Sequence, residues 1–236
     1  MAFFHHSAAA KSRVAAFASD GFVTLFKNRS WTEFALYLLL AITCLGIAIA
    51  VATLLYPIDT LVAGPVENGW YETIQIGILG LTGLVVLRLA LTSRHEIFYF
   101  SACLAMLIPL AMVRETPRCG SPFYDGGACL TSDGKFLIVS LSISVVVAIL
   151  SVRRVPMAKS WNELTFFYAI PAVLTALMLL GSEMVLKLPS AWIAGIFVWL
   201  EETLELAAYL NLLGFVIALS LKPRWFTTDL SKNQPR

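Results

Sequence analysis

The sequence predicts an all-α polytopic membrane protein with six transmembrane helices in one bundle. Of the 236 residues, 58% are hydrophobic and only 14% are charged, whereas soluble domains carry about 25% charged residues. The mean hydropathy is +0.79. The apolar residues also gather in long runs separated by short polar segments, a pattern typical of a chain that crosses a membrane repeatedly.

A helix needs about 20 mostly apolar residues to cross about 30 Å of hydrocarbon. Six segments reach or approach this length, at about residues 34–56, 70–92, 97–113, 136–152, 165–186 and 191–221. The third is short, and charged side chains at its ends can extend it by snorkelling. The sixth is about 46 Å long at 1.5 Å per residue, so we expect it to tilt or to begin with an interfacial turn. We therefore divide the chain into an N-terminal cytoplasmic segment (1–32), a membrane domain (33–221) and a cytoplasmic tail (222–236).

The distribution of the 17 Lys and Arg residues predicts the orientation of the bundle. With a cytoplasmic N-terminus, thirteen of them fall on the cytoplasmic side and four on the opposite side. Cytoplasmic loops are enriched in positive charge. We therefore expect both termini in the cytoplasm, the 114–135 loop outside, and the bacterial inner membrane as the location. The four outer residues are Arg114, Arg118, Lys135 and Lys187.

Two cysteines lie in the longest outer loop, in the stretch RCGSPFYDGGACL. Cys119 and Cys129 would close a short loop on the oxidising side of the membrane, which favours a disulfide bond. A metal site is the alternative, but two thiols without a nearby histidine make a poor zinc site. We predict a disulfide between Cys119 and Cys129.

Acidic residues accumulate at one depth of the predicted bundle. Counted back from Lys222 at 1.5 Å per residue, Glu202 lies about 30 Å from the cytoplasmic end of the sixth span. Glu72 lies about 24 Å from Arg88 on the second span. The third and fifth spans carry acids near their outer ends. Together these residues form a group in the outer third of the membrane: Glu67, Glu72, Glu115, Glu183, Glu201, Glu202 and Glu205, near Arg114 and Arg118.

Helix geometry brings together the three glutamates of WLEETLELAAYL (199–210). Glu201 and Glu205 are four residues apart, and Glu202 and Glu205 are three apart, so all three lie on one side of the helix. Carboxylates this close in an apolar setting either take up protons or are neutralised by cations. Other polar side chains can extend this group inward, namely Tyr209, Asn211 and Gln75.

Ionisable residues inside a membrane are rare and usually mark a site or a pathway. We therefore assign ion or proton binding to four glutamates, with Arg114 as their counter-ion: Glu72, Glu201, Glu202 and Glu205. The alternative is a structural role, in which Arg114 pairs with Glu201 or Glu202 only so that polar groups can fold into the bundle. We prefer a structural role for the loop-side acids Glu67 and Glu115 and leave Glu183 open. The additional candidates are Glu67, Glu115, Glu183 and Tyr209.

The histidines argue against several kinds of site. His5 and His6 lie in the N-terminal segment and His95 lies in a cytoplasmic loop, so we expect no haem, no di-iron site and no Ser-His-Asp arrangement in the membrane. The EE pair at Glu201 and Glu202 resembles the glutamates of intramembrane CAAX-type proteases. The arginine and the downstream histidines of that family are missing, so the resemblance transfers no residue roles. The basic residues form no nucleic-acid-binding pattern.

A cluster of oxygen ligands suits protons or hard cations such as Ca²⁺, Mg²⁺ or Mn²⁺. The sequence therefore favours a proton- or cation-linked transporter-like protein whose site opens to the outside. Two alternatives stay open. One is a subunit or assembly factor of a membrane complex. The other is a membrane enzyme with a carboxylate-bound divalent cation that acts on a lipid or periplasmic substrate. The expected partners are the lipid bilayer and either a second copy of the chain or a membrane-complex partner.

Overall fold

The computed structural model describes residues 31–55, 70–93, 97–120, 129–156, 169–185 and 194–221. These residues form six helices: α1 (Trp31–Leu55), α2 (Trp70–Thr92), α3 (Phe98–Glu115), α4 (Ser132–Val152), α5 (Ala169–Val185) and α6 (Ala194–Leu221). Within the same residues, β-type pairing is limited to an isolated bridge between Arg118 and Leu130. The prediction of an all-α fold is confirmed.

The chain divides into two compact units, Met1–Leu38 and Leu39–Arg236. The described part of the first unit consists of the first eight residues of α1. The predicted tail (222–236) and nearly all of the predicted N-terminal segment (1–32) lie outside the described residues. Those two boundaries therefore stay predictions, and every contact discussed below lies within the second unit.

Five helices are long and apolar enough to cross a membrane, namely Ala35–Leu55, Tyr71–Thr92, Phe98–Glu115, Ser132–Val152 and Ile196–Leu221. The fifth predicted span, 165–186, corresponds to a shorter apolar stretch of α5, Ile170–Met184. The 17 described residues of α5 extend over about 26 Å. The two ends of that predicted span, residues 165–168 and 186, lie outside the described residues. The length and apolar composition of these helices support the interpretation as a multi-pass membrane protein.

Several helix contacts are made by small buried side chains, and many large apolar side chains are exposed. Ala48, Ala52 and Ala207 are fully buried, whereas Leu54 is 81% exposed and Phe136 is 75% exposed. Small residues at helix contacts let the backbones approach closely, which is how helices associate in lipid. Large apolar side chains on the outside would be costly in water, but hydrocarbon surrounds them at no such cost. This distribution of side chains is typical of a helix bundle in a bilayer.

Helix α2 packs against both α3 and α6, while α5 packs against α6 and α4 against α3. Two glycines of α2 face α3, because a Cβ atom at Gly80 would lie 3.7 Å from Met112 Cε and one at Gly83 would lie 3.4 Å from Ile108 Cγ2. A Cβ atom at Gly77 would meet nothing within 4 Å. Each three-residue step turns about 60° away from a full rotation, so only part of this glycine series can face one neighbour.

A small hydrophobic core joins α1, α2 and α6 near the start of α2. It consists of Ala48 and Ala52 on α1, Tyr71 on α2, and Leu206 and Ala207 on α6. All five residues are at most 1% exposed. This core holds the first turns of α2 beside the acidic stretch of α6 and so positions the site described below.

Arg153, directly after α4, connects neighbouring helices at the end of the bundle opposite to the start of α2. Its Nη1 donates to the carbonyl oxygen of Ala90 at 2.7 Å, and its Nη2 donates to the carbonyl oxygen of Ser93. These carbonyls belong to the C-terminal end of α2, where intrahelical donors run out. The guanidinium also lies 4.9 Å from the centroid of the Phe98 ring, at the start of α3. One side chain thus joins the ends of α2 and α4 to the beginning of α3.

We expect Arg153→Ala to lower the free energy of unfolding by about 2 kcal/mol, because two charge-assisted hydrogen bonds and a cation–π contact are lost. Denaturation of the purified protein in mixed micelles measures this loss. Arg154→Ala is the matched control: its side chain is exposed, and surface changes usually stay within about 0.5 kcal/mol. Equal effects of the two substitutions would contradict this account of Arg153.

Candidate ion- or proton-binding site

Arg114, in the last turn of α3, is shared by three carboxylates. Its Nη2 donates to Glu205 Oε1 and lies 3.3 Å from Glu183 Oε1, and its Nε lies 3.8 Å from Glu115 Oε1. The three glutamates belong to α6, α5 and α3 respectively. The side chain of Arg114 is 45% exposed and that of Glu183 is 49% exposed, so this side of the group is open. A single positive charge therefore joins three helices.

The structural alternative supposed that Arg114 pairs with Glu201 or Glu202, but the guanidinium bonds to Glu205 instead. Glu205 lies about 5 to 6 Å further along α6 than these two residues, level with the last turn of α3. Glu201 is only partly buried and lies close enough to the charges of Arg114 and Glu183 to interact with them electrostatically. The predicted role of Arg114 as an internal counter-ion fits its contacts.

Glu205 is the most buried acid of the group, with a side chain 4% exposed. Besides Arg114, the hydroxyl of Ser182 lies 3.3 Å from Glu205 Oε1. The same hydroxyl lies 2.7 Å from the carbonyl oxygen of Leu179 on its own helix. A hydroxyl has one proton to donate, so Ser182 bonds either to Glu205 or to its own backbone. A buried carboxylate needs such partners, because an unpaired charge in an apolar interior is very costly.

Glu115 belongs to the interior of the group, although its position beside a loop favoured a peripheral structural role. Its side chain is only 8% exposed. The hydroxyl of Tyr209, which is 2% exposed, donates to Glu115 Oε1 at 2.6 Å. Tyr209 was predicted to extend the polar line inward along α6, and it instead connects α6 to the end of α3. The burial of Glu115 was not predicted, because residue number alone does not show which way the last turn of a helix faces.

Gln75 and Glu202 connect α2 to α6. Gln75 is completely buried. Its Nε2 lies 3.0 Å from Glu202 Oε2 and 3.5 Å from the backbone carbonyl oxygen of Glu202. Gln75 Oε1 is buried and has no hydrogen-bond donor within the described part of the chain. Glu72 lies in the first turn of α2, three residues before Gln75, and is partly buried.

Deeper in the bundle, Asn211 links α6 to α5. Its Nδ2 donates to Thr175 Oγ1 at 3.0 Å and to the carbonyl oxygen of Pro171 at 3.2 Å. Asn211 is fully buried and Thr175 is 7% exposed. Sequence reasoning suggested Asn211 as part of an inward polar line but missed Thr175 and Ser182. A hydroxyl residue in a membrane helix usually bonds to its own backbone, so neither gave a distinguishing signal.

The loop after α3 is closed by the predicted disulfide, and this prediction is confirmed. Cys119 and Cys129 are bonded, with Cα atoms 5.0 Å apart. Backbone hydrogen bonds flank it: Cys119 N donates to Leu130 O at 3.2 Å, and Leu130 N donates to Pro117 O at 2.9 Å. The disulfide lies five residues after Arg114, so it restrains the chain that leads into the cluster.

The candidate Glu67 lies outside the described residues. The remaining candidates lie in the first turn of α2, in the last turns of α3 and α5, and on α6 between residues 201 and 209. Among the residues that the structure describes, no group of three or more His, Cys, Asp or Glu side chains has an arrangement that could hold a metal ion. The acids are arranged around Arg114 and around Gln75.

Comparison with known proteins adds no family, since no family model, curated protein or solved structure matches the chain. The fold itself defines a class. The chain is an all-α multi-pass membrane protein with ionisable side chains gathered at one end of its helix bundle.

Proposed function

We propose that the chain is a proton- or cation-linked transporter-like protein of the bacterial inner membrane, and that the cluster around Arg114 and Gln75 is its ion- or proton-binding site. The observation that carries this proposal is the sharing of one guanidinium by Glu205, Glu183 and Glu115 from three helices. Such a cluster has more carboxylates than cations. Uptake of a proton or cation by one acid therefore changes which of the others Arg114 pairs with.

The way in which the helices are paired supports coupling between binding and movement. Within the described contacts, α2 packs on α3 and α5 packs on α6, and α2 also packs on α6. The polar bonds of the site cross from the first pair to the second: Arg114 to Glu205 and Glu183, and Gln75 to Glu202. A change of charge at these acids alters the attraction between the two helix pairs. A transporter needs this link between occupancy and conformation.

Exposure and charge distribution support access from the outside. Arg114 and Glu183 are about half exposed, Glu115 and Glu205 are nearly buried, and Gln75 is completely buried. An ion would enter at the half-exposed pair and be held further in. The excess of basic residues on the other side supports cytoplasmic termini, and the disulfide suits an oxidising outer compartment.

Flux measurements on reconstituted protein test this proposal. Proteoliposomes that contain a pH-sensitive dye are given a proton gradient or a ²²Na⁺ gradient under a potassium diffusion potential. We expect faster ion entry than in protein-free liposomes, and we expect Glu205→Gln to return the rate to that background. Asp133→Asn is the matched control, because this acid lies exposed in the first turn of α4, at the same end of the bundle.

If wild type and Glu205→Gln carry neither ion faster than empty liposomes, the transport proposal is wrong. A membrane protein that co-purifies with the wild type and is lost from Glu205→Gln would then favour the subunit alternative. A stoichiometric divalent cation in the purified protein would favour the enzyme alternative.

A further inference from the structure

The amide of Gln75 carries a buried hydrogen-bond acceptor that the described residues leave without a donor. Gln75 is completely buried, and its Oε1 has no partner among them. An unsatisfied buried polar group costs about 1–3 kcal/mol. Native structures contain few such groups, and each calls for an explanation such as a bound ion or a water molecule. The position of this oxygen beside Glu202 points to a ligand.

Turning the amide over does not remove the difficulty. In the present orientation, Nε2 is 3.0 Å from the carboxylate of Glu202 and 3.5 Å from its backbone carbonyl oxygen. The reversed amide would set Oε1 against both of these oxygens, and two acceptors placed together repel each other unless a proton or a cation lies between them. The present orientation therefore requires a proton donor or a cation at Oε1, and the reversed orientation requires one between Oε1 and Glu202.

Charge sets the valence of that group. Arg114 contacts Glu205, Glu183 and Glu115, and the described contacts of Glu202 do not include Arg114. The hydrogen-bonded partner of Glu202 is the neutral Gln75. A carboxylate held among apolar helices needs a compensating charge, and one carboxylate balances one positive charge. Divalent cations are usually held by several carboxylates, whereas one carboxylate, that of Glu202, is bonded to Gln75.

We propose that Glu202 and Gln75 Oε1 together hold one positive charge, either Na⁺ bound to both oxygens or a proton shared between them. This inference rests on the proposed function and names the ion and the subsite within the cluster. Glu202 supplies the negative charge, and Gln75 supplies a neutral oxygen from the opposite helix. Binding would therefore draw α2 and α6 together, because each helix contributes one ligand.

Chemical labelling of the full-length protein in detergent tests this subsite. Dicyclohexylcarbodiimide forms stable adducts with protonated carboxyl groups in apolar surroundings, and peptide mass spectrometry locates them. The labelling rate of Glu202 is compared in NaCl and in choline chloride at equal ionic strength over a range of pH. The adduct must disappear in Glu202→Gln. We expect Na⁺ at ten times its dissociation constant to slow labelling about tenfold by competition.

The two sources of the cation give different results. Protection by NaCl but not by choline chloride assigns the subsite to Na⁺. Labelling that slows as the pH rises, equally in both salts and with a midpoint that depends on Gln75, assigns it to a proton. The proposal is overturned if Glu202 does not react, if neither Na⁺ nor pH changes its rate, or if Mg²⁺ or Ca²⁺ protects it at lower concentration than Na⁺.

Substitution of Gln75 provides a second test. Gln75→Leu should raise the Na⁺ concentration that protects Glu202 at least severalfold. If the subsite holds a proton, the substitution should instead lower the proton affinity of Glu202, read from the pH midpoint of labelling, at least severalfold. Glu202 should still react in both cases. If Gln75→Leu does not fold, Gln75→Asn, which keeps the amide and shortens it, replaces it and should weaken protection in the same direction. Unchanged protection in a folded variant contradicts a ligand role for Gln75.

Failure of this inference and failure of the proposed function are distinguishable. Protected labelling of Glu202 in a protein that carries no ion flux would keep the subsite and remove the transport proposal. Flux that depends on Glu205, with no protection at Glu202, would keep transport and remove the subsite.

Discussion

Replacing Arg114 with glutamine should lower the free energy of unfolding by about 3 kcal/mol. Breaking a buried ion pair by removing one partner typically costs about 3–5 kcal/mol, because the remaining charge is left uncompensated. The lower end of that range is expected here because Arg114 is half exposed. Its loss leaves the nearly buried carboxylates of Glu205 and Glu115 without their shared cation. Denaturant titration in mixed micelles measures the effect.

A double substitution separates electrostatics from packing. In Arg114→Gln/Glu205→Gln the most buried carboxylate is neutral, so we expect recovery of at least half of the lost stability. Arg118→Gln is the matched control, because Arg118 is exposed and lies four residues further along the same segment. If the double variant is less stable than Arg114→Gln alone, charge imbalance is not the cause. If Arg118→Gln costs as much as Arg114→Gln, the shared ion pairs are not the cause either.

Removal of the disulfide should produce the second large effect. The entropy of closing a loop with a sequence separation of 10 residues corresponds to about 2–3 kcal/mol. We expect Cys119→Ser/Cys129→Ser to lose about this much stability in the same denaturant titration. Mass spectrometry after alkylation gives an independent check, since both thiols should resist alkylation until the protein is reduced.

Cys103→Ser serves as the control, since Cys103 is a free and exposed cysteine of α3. This substitution should leave the free energy of unfolding nearly unchanged. In the unreduced protein, it should abolish the alkylation that occurs at Cys103. Alkylation of Cys119 or Cys129 in the unreduced protein would contradict the disulfide. It would leave the helix arrangement untouched.

The sequence predicted the number and order of the helices because each crossing must bury its backbone in a long apolar run. Depth along each helix was also predictable, since the rise per residue is constant. This is why the acids on α2, α3, α5 and α6 could be placed at one end of the bundle from numbering alone.

The pairing of individual side chains was not predictable, because it depends on how each helix is rotated about its own axis. Lipid removes the usual guide to rotation, since apolar side chains are as suitable outside the bundle as inside. The bond from Tyr209 to Glu115 and the choice of Glu205 by Arg114 both depend on rotation. Arg153 was misjudged for another reason. As one of thirteen basic residues predicted to be cytoplasmic, it served only the topology argument, yet its guanidinium caps the end of α2.

Helix α4 carries a cation at each end, and each one binds backbone carbonyls of a neighbouring helix end. Lys135 Nζ donates to the carbonyl oxygens of Val113 and Thr116 at the end of α3, and Arg153 donates to those of Ala90 and Ser93 at the end of α2. A helix that is hydrogen-bonded to its neighbours at both ends can tilt a little but cannot slide along its own axis. If α2, α3 or α4 slid along its axis relative to the other two, at least one of these sets of hydrogen bonds would therefore break. We expect any vertical displacement in this protein to fall on α5 and α6, the helices that carry Glu183, Glu202 and Glu205.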